Sequence, residues 1–212
     1  MNKFTRRTVI AAACAAAAMT FAPMSFAQQA PEKKDVTIAV GGKSLYYYLP
    51  LSIAEQLGYF KDEGLNVKIV DFQGGSRSLQ AVVGGSADVV SGAFEHTISM
   101  QAKKQPMTAF VLQGRAPQLA LVVSNKTMKD YKQLSDLKGK KVGVTAPGSS
   151  SQMVANFILK KGGLGPKDVA FIGVGSSSGA VSAIRSGQID ALINLDPVIT
   201  ILLKNGDAKL VA

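Results

Sequence analysis

Two stretches decide the fold: Val67–Phe94, VKIVDFQGGSRSLQAVVGGSADVVSGAF, and Val169–Asp196, VAFIGVGSSSGAVSAIRSGQIDALINLD. Laid over each other without a gap, they pair Gly85 with Gly187 and Asp88 with Asp190, an offset of 102. Each runs from an apolar strand through a Gly/Ser loop, a short helix and a glycine turn into a second apolar strand. A β-loop-α-β unit used twice predicts two similar lobes with a cleft between them. Strands alternating with short helices predict a mostly parallel sheet in each lobe. Ligands of such sheets sit outside the carboxyl ends of the strands.

The flanking segments extend the same pattern. Val36–Val40 reads as a strand stopped by Gly41 and Gly42. Leu49–Gly58 reads as a helix, with Pro50 in its first turn and Gly58 as its cap. Further strands are predicted over 67–72, 87–90 and 107–113, and helices over 78–83 and 95–102. The apolar run Leu119–Ser124 has no nearby partner helix and reads as the hinge strand leaving the first lobe. After a polar stretch, a strand at 141–145, a loop at 146–151 and a helix at 152–161 restart the pattern. The second copy closes at Asp196-Pro197 with an apolar helix toward Leu203. The implied division is a signal segment 1–27, a first lobe 28–118, a hinge strand 119–124 and a second lobe 125–212.

Residues 1–27 have the layout of an export signal. Lys3, Arg6 and Arg7 precede a soft apolar run, and Ser25-Phe26-Ala27 offers a small-x-small cleavage site. The adjacent arginines leave both the general secretory and the twin-arginine routes open, and either delivers the chain to the periplasm. Cys14 is the only cysteine, so cleavage at Ala27 leaves none and the core must supply stability without disulfides. With 47% apolar residues in 212, there is material enough for such a core. The signal carries three of the 24 basic residues and no acid, leaving 21 against 14 in the remainder, a net of +7. These basic residues are scattered or paired without the dense stripe that nucleic acid favours, so nucleic acid is not a predicted partner.

The ordered set LPLSIAEQLGYFKDEGLNVKIVDFQGG, GGSADVVSGAFEHTI, DLKGKKVGVTAPGSSSQ and IRSGQIDALINLDP resembles the bacterial periplasmic binding proteins of nitrate, sulfonate and thiamine-precursor (NMT1-like) ABC transporters. The resemblance covers nearly all of positions 36–212. It implies an α/β, two-lobe periplasmic binding protein fold of type II, in which lobes joined by hinge strands close on a small-molecule solute. That solute is then delivered to a permease and ATPase complex at the inner membrane, and no cofactor is implied. Chains of this kind continue past the second lobe and return to the first. This one stops at Ala212, so the second lobe and the return hinge are expected to be incomplete. The resemblance also extends to thiamine-biosynthetic enzymes that make the pyrimidine and carry a cysteine-rich motif, which this chain lacks beyond Cys14.

Candidate site residues fall at the predicted strand ends. The loop Ala146–Ser151 lies between a strand and a helix. Backbone N–H groups of Gly148, Ser149, Ser150 and Ser151, with the serine hydroxyls, suit an anion without any basic side chain. The corresponding loops of the repeat bring Gly74, Gly75 and Ser76 on one side and Ser176 on the other, with glycines permitting close approach of a ligand. Ser44 and the aromatic run Tyr46-Tyr47-Tyr48 follow the first strand. At most two of these rings can face a cleft, and Tyr46 or Tyr47 is the candidate to stack on a planar solute. Phe94, Glu95 and His96 end the third strand, and Asp196 holds the matching place in the second copy. His96 is the only histidine, which excludes a histidine metal cluster, and no G-x-S-x-G elbow is present. The expected solute is a small anion of the sulfonate, taurine or nitrate kind; the alternative is a planar heterocycle such as a thiamine pyrimidine precursor, suited to the tyrosines and Phe94/Glu95.

Overall fold

A computed structural model describes residues 31–212, and the signal segment expected at 1–27 lies outside the described residues. Two sheets carry the fold. In the first, β1 (Asp35–Val40) is central and runs parallel to both β2 (Asn66–Asp71) and β3 (Val89–Ser91). Its last three residues, Ile38, Ala39 and Val40, are buried. Ala39 lies under helix α3 (Gly75–Val83), which packs Ala81 against it and Ala87, while Ile38 and Val40 face Leu45 and Tyr48 on the other side. Helices α1 (Leu49–Gln56) and α2 (Tyr59–Asp62) precede β2, and α4 (Glu95–Ala102) follows β3. Pro50 does open α1, where its missing N–H costs nothing.

The second sheet has five strands in the order β6-β5-β7-β4-β8. They are β4 (Ala120–Ser124), β5 (Lys141–Val144), β6 (Ala170–Gly173), β7 (Ala191–Asn194) and β8 (Ala208–Leu210). β6, β5 and β7 are parallel, while β4 runs antiparallel to both β7 and β8. Alternate residues face opposite layers. Leu121, Val123, Val142, Val144 and Ile193 meet α5 (Ser150–Lys161) through Ala155 and Leu159. On the other face, Val122 and Leu192 meet α6 (Ser178–Ser186) and α7 (Val198–Lys204). Each fully buried leucine or isoleucine contributes about 1.5–3 kcal/mol, so this three-layer stack is the main reservoir of stability. Residues 33–212 form one compact unit.

Within the run expected as a hinge strand, Ala120–Ser124 is a strand inside the second sheet, with its side chains covered on both faces. A run apolar at every position calls for burial on both sides, and only a sheet interior provides it. Two expectations need correction. Residues 107–113 form no strand, and Phe110, Val111 and Leu112 are more than 70% exposed. The tyrosine run is a 3-10 turn (Tyr46–Tyr48) rather than an irregular loop. β8 was not legible in the sequence. It is three residues long and pairs with β4 through Val122–Leu210, Val123–Lys209 and Ser124–Ala208.

The repeat holds down to individual hydrogen bonds. Asp88 exchanges backbone and side-chain bonds with Thr37 at β1, and Asp190 does the same with Lys141 at β5. Ser86 N–H reaches the Ala81 carbonyl in the first copy, and Gln188 N–H the Ala183 carbonyl in the second. Gly85 and Gly187 both stand in left-handed backbone, at φ 75° and 80°, which is why each copy has glycine there.

Candidate functional site

We use the word lobe for each sheet with its helices. The carboxyl ends of β1, β2 and β3 face those of β5, β6 and β7, and the loops leaving them meet. Gly41 packs so tightly on the Gly74–Gly75 backbone that a Cβ at 41 would stand 2.4 Å from Gly75 N. Gly42 N–H and Lys43 N–H both donate to Asp71 Oδ1 at 2.8 Å, which fixes the turn after β1. That turn leads into the tyrosines. Tyr48 is core: its hydroxyl accepts from Gly41 N–H, and burial pushes its pKa up to about 12. Tyr47 stands edge-on to it, with ring centroids 5.1 Å apart. The Tyr47 hydroxyl is also pushed up, first by burial and then by the Glu95 carboxylate. Both phenols therefore stay neutral at physiological pH.

A cavity of about 60 Å³ lies between the lobes. Its walls include Leu45, Tyr47, Tyr48, Met153, Val154 and Leu195, with Glu95, Thr145 and Ser150 as polar members. Of the expected residues, Tyr47, Gly75, Glu95 and Ser150 line it. Tyr46 does not, being 61% exposed with its N–H donated to the Asp196 carbonyl across the lobes. Phe94 is 67% exposed and Ser44 is on the surface.

The Gly/Ser loops bind each other. Ser149 Oγ accepts from Ser76 N–H at 2.9 Å and donates to Ser76 Oγ at 3.1 Å, and Ser76 Oγ donates to the Pro147 carbonyl. Ser151 is fully buried, and its hydroxyl is held by Thr145 N–H and Thr145 Oγ1. Gly148 N–H donates to Gln152 Oε1. Ser176 is buried beside Gly42. Asp196 Oδ1 accepts from Thr200 N–H and Thr200 Oγ1, so it caps the helix that Pro197 begins. Gly74 lies against Thr145 and Ala146 of the opposite lobe. Ser76 and Ser149, two of the groups expected to meet an anion, thus join the lobes, while Gly148 and Ser151 are engaged within their own.

His96 is 6% exposed. Burial holds its imidazole below the ordinary histidine pKa, with Glu95 pulling upward against it and Lys103 adding to the lowering. Gln113 was not foreseen. Its amide donates to the Tyr47 carbonyl and its Oε1 accepts from Ser91 Oγ, which ties β3 to the tyrosine turn. No periodicity signals such a bridge; an isolated glutamine in an irregular segment carries no pattern. Met153 and Val154 were missed because an amphipathic helix does not tell which apolar positions turn to a cleft. Among the described residues there is no cluster of three metal-ligating side chains, and no helix is long and apolar enough to cross a membrane.

The profile of the family described as NMT1/THI5 like matches residues 46–205. The chain belongs to that family. A protein of known structure from Bordetella bronchiseptica RB50 is 64% identical and superposes with a TM-score of 0.83, covering 84% of this chain and 56% of its own. The 4-amino-5-hydroxymethyl-2-methylpyrimidine phosphate synthase of Schizosaccharomyces pombe is 27% identical over 76% of this chain and 45% of its own length. The alkanesulfonate-binding protein SsuA from Xanthomonas axonopodis pv. citri, bound to MOPS, is 23% identical, with a TM-score of 0.65 over 86% of this chain and 62% of its own. At that identity the likeness is one of fold, and it is the two-lobe α/β fold of type II periplasmic binding proteins. The chain spans about half the length of the curated relatives it matches.

Proposed function

We propose that this chain is the solute-capturing part of an ABC importer, acting in the periplasm and handing its solute to a permease and ATPase complex. The observation that carries it is the cavity at the strand ends, walled by residues of both lobes. A solute held there contacts both lobes at once, so its binding energy favours the closed arrangement over an open one. The serine bridge Ser76–Ser149 and the Tyr46–Asp196 backbone bond would close with it. A cavity of about 60 Å³ has room for a few waters, so an organic solute enters only when the lobes part.

Two solute classes have support. A planar heterocycle, such as a thiamine pyrimidine precursor, is supported by the Tyr47 ring and the apolar walls. A sulfonate, taurine or nitrate anion is supported by Ser150, which opens α5 and lines the cavity. The fungal relatives are pyrimidine phosphate synthases, but the wall here holds no nucleophilic cysteine and its serine, Ser150, has no histidine beside it in the wall. Capture without chemistry is the reading we adopt.

A thermal-shift screen of the chain against methanesulfonate, taurine, nitrate and 4-amino-5-hydroxymethyl-2-methylpyrimidine tests it. A solute at a hundred times its Kd adds about 2.7 kcal/mol, which raises Tm by roughly 5–10 °C for a chain of this size. No shift with any probe would overturn solute capture of these classes.

A further inference from the structure

A second cavity, of about 420 Å³, opens at the far end of the second lobe. It lies where β4 stops at Ser124 and β5 starts at Lys141, whereas the interlobe cavity lies beyond the carboxyl end of β5. Asp190 ties those two strand ends together: its carbonyl accepts from Ser124 N–H and its carboxylate from Lys141 N–H. Lys126, Lys129 and Lys140 stand in the wall with Asp130, Tyr131 and Asp136. The base of the site is firm. Met128 is buried in the core, Tyr131 packs on the same cluster, and the Lys209 ammonium stands 5.2 Å over the Tyr131 ring while donating to the Tyr131 carbonyl.

The wall's lysines are not spent on the aspartates beside them, for no ion pair joins the two sets among the described residues. Lys126 instead donates to the Arg185 and Ser186 carbonyls at the last turn of α6, at 3.2 and 3.0 Å. Asp136 accepts from Lys132 N–H and Gln133 N–H, which hold its carboxyl below the usual carboxylate range. Lys129 and Lys140 are left without an acid partner, and Asp130 without a cation. Tyr131 is pushed up, first by burial and then by the Asp136 carboxylate, so it stays a neutral phenol able to donate. The surroundings add to the imbalance. Residues 119–212 hold twelve lysines and arginines against six aspartates, whereas residues 31–118 hold nine against eight acids. The positive charge is thus gathered on this lobe, where it draws anions.

Lysine ammonium groups bind phosphate as point charges. A volume of about 420 Å³ exceeds what a lone phosphate needs and falls in the range of pockets that take small organic ligands. Asp130 repels a bare anion and attracts an ammonium group carried by the same ligand.

We propose that this cavity is a second binding site, for a small phosphate ester that also bears an ammonium group: Lys129 and Lys140 hold the phosphate, the Tyr131 hydroxyl adds a neutral donor, and Asp130 holds the ammonium. Phosphoethanolamine is the simplest such molecule, free or as the headgroup of a lipid. The site goes beyond solute capture in the cleft and shares no wall residue with it.

The test is an NMR titration of the ¹⁵N-labelled chain with phosphoethanolamine, inorganic phosphate and ethanolamine. The expected result is amide shifts gathered in residues 125–141, with the cleft loops at 41–48 and 145–151 unmoved. Phosphoethanolamine should bind roughly fivefold or more tightly than either fragment, since it makes both sets of charged contacts. K129M, at an exposed position that folding does not depend on, should weaken it about tenfold, the usual cost of a hydrogen bond to a charged group, and K140M likewise. D130N separates a built site from mere attraction to a basic surface. In a built site it weakens phosphoethanolamine several-fold and strengthens inorganic phosphate; strengthening of both overturns the proposal. Shifts centred on the cleft loops, or no shift with phosphoethanolamine, overturn it too and leave solute capture standing. Cosedimentation with phosphatidylcholine vesicles, with and without phosphatidylethanolamine, identifies the source. Binding to the ethanolamine lipid that K129M abolishes makes the ligand a headgroup, and binding of the soluble ester alone makes it a free ester.

Discussion

The two copies of the repeat share a backbone plan and differ in how well they are covered. In the second copy, β7 is fully buried and lies between two other strands, with helices on both faces. Its counterpart β3 is an edge strand of three residues, all only half-buried. The helices that follow differ likewise: α7 buries Val198, Ile199 and Leu202, whereas α4 leaves Ile98 63% exposed beside the exposed Phe94. One sequence plan thus yields a dense lobe and an open one. Identical local patterns specify identical turns and helices, but the packing energy depends on what the rest of the chain lays over them.

That contrast can be broken in four places. The largest effect is expected in the sheet interiors. Leu192→Ala should cost 2–5 kcal/mol as a fully buried leucine, with denaturant unfolding as the readout. The corresponding Val90→Ala, half-buried, should cost about 1 kcal/mol. Equal losses would mean that the two sheets are equally packed in solution.

Next come the glycine turns. Gly85→Ala faces open space, so its cost is the left-handed backbone alone, about 1–2 kcal/mol. Gly187→Ala adds a 3.2 Å approach to Thr127 Cγ2 and should cost measurably more in the same melt. A smaller difference is expected at the helix starts. Ser76 bridges to Ser149 and Pro147, and Ser76→Ala should cost about 0.5–1.5 kcal/mol. Its counterpart Ser178 is exposed, and Ser178→Ala should stay within about 0.5 kcal/mol of the parent.

The smallest effect is electrostatic. The Asp88 carboxyl is held below its usual range, first by the hydrogen bond from Lys33 and then by Thr37 N–H. A lowered folded-state pKa adds stability that is present above the unfolded value, about 3.9, and fades as the pH falls through the lowered one. Asp88→Asn should therefore flatten the acid limb of the stability-against-pH curve below about pH 4. Lys33→Ala should flatten part of it, and an unchanged acid limb in both variants would show that the Lys33 contact is not made in solution.

Much of this fold was legible because its signals are local. Apolar alternation placed β1 and β2 to within a residue or two, Pro50 and the glycine stops bracketed α1 and α5, and the repeat itself located α3, α6, β3 and β7. The run 119–124 reads as a strand from its residues, and only its neighbours β7 and β8 place it inside the second sheet. The apolar run near 110 looked like a strand, yet no strand lies beside it to complete a ladder.

The site divides along the same line. Strand ends are predictable from sequence, which is why Tyr47, Gly75, Glu95 and Ser150 are legible as candidates. Which of the candidates face the cavity was not predictable, because that is settled by contacts between residues far apart in the chain. Ser76 and Ser149, 73 positions apart, look like ligand groups from their loops and prove to be each other's partners. By itself the sequence determined the duplicated β-loop-α-β plan, the glycine turns at 85 and 187 and the aspartates that anchor each copy, because each depends on backbone geometry within a few residues. Only the tertiary structure decided that Ser76 and Ser149 bond to each other across the lobes and that Glu95 lines the cavity with one oxygen unpaired, since hydrogen-bond satisfaction is a property of the whole neighbourhood in space.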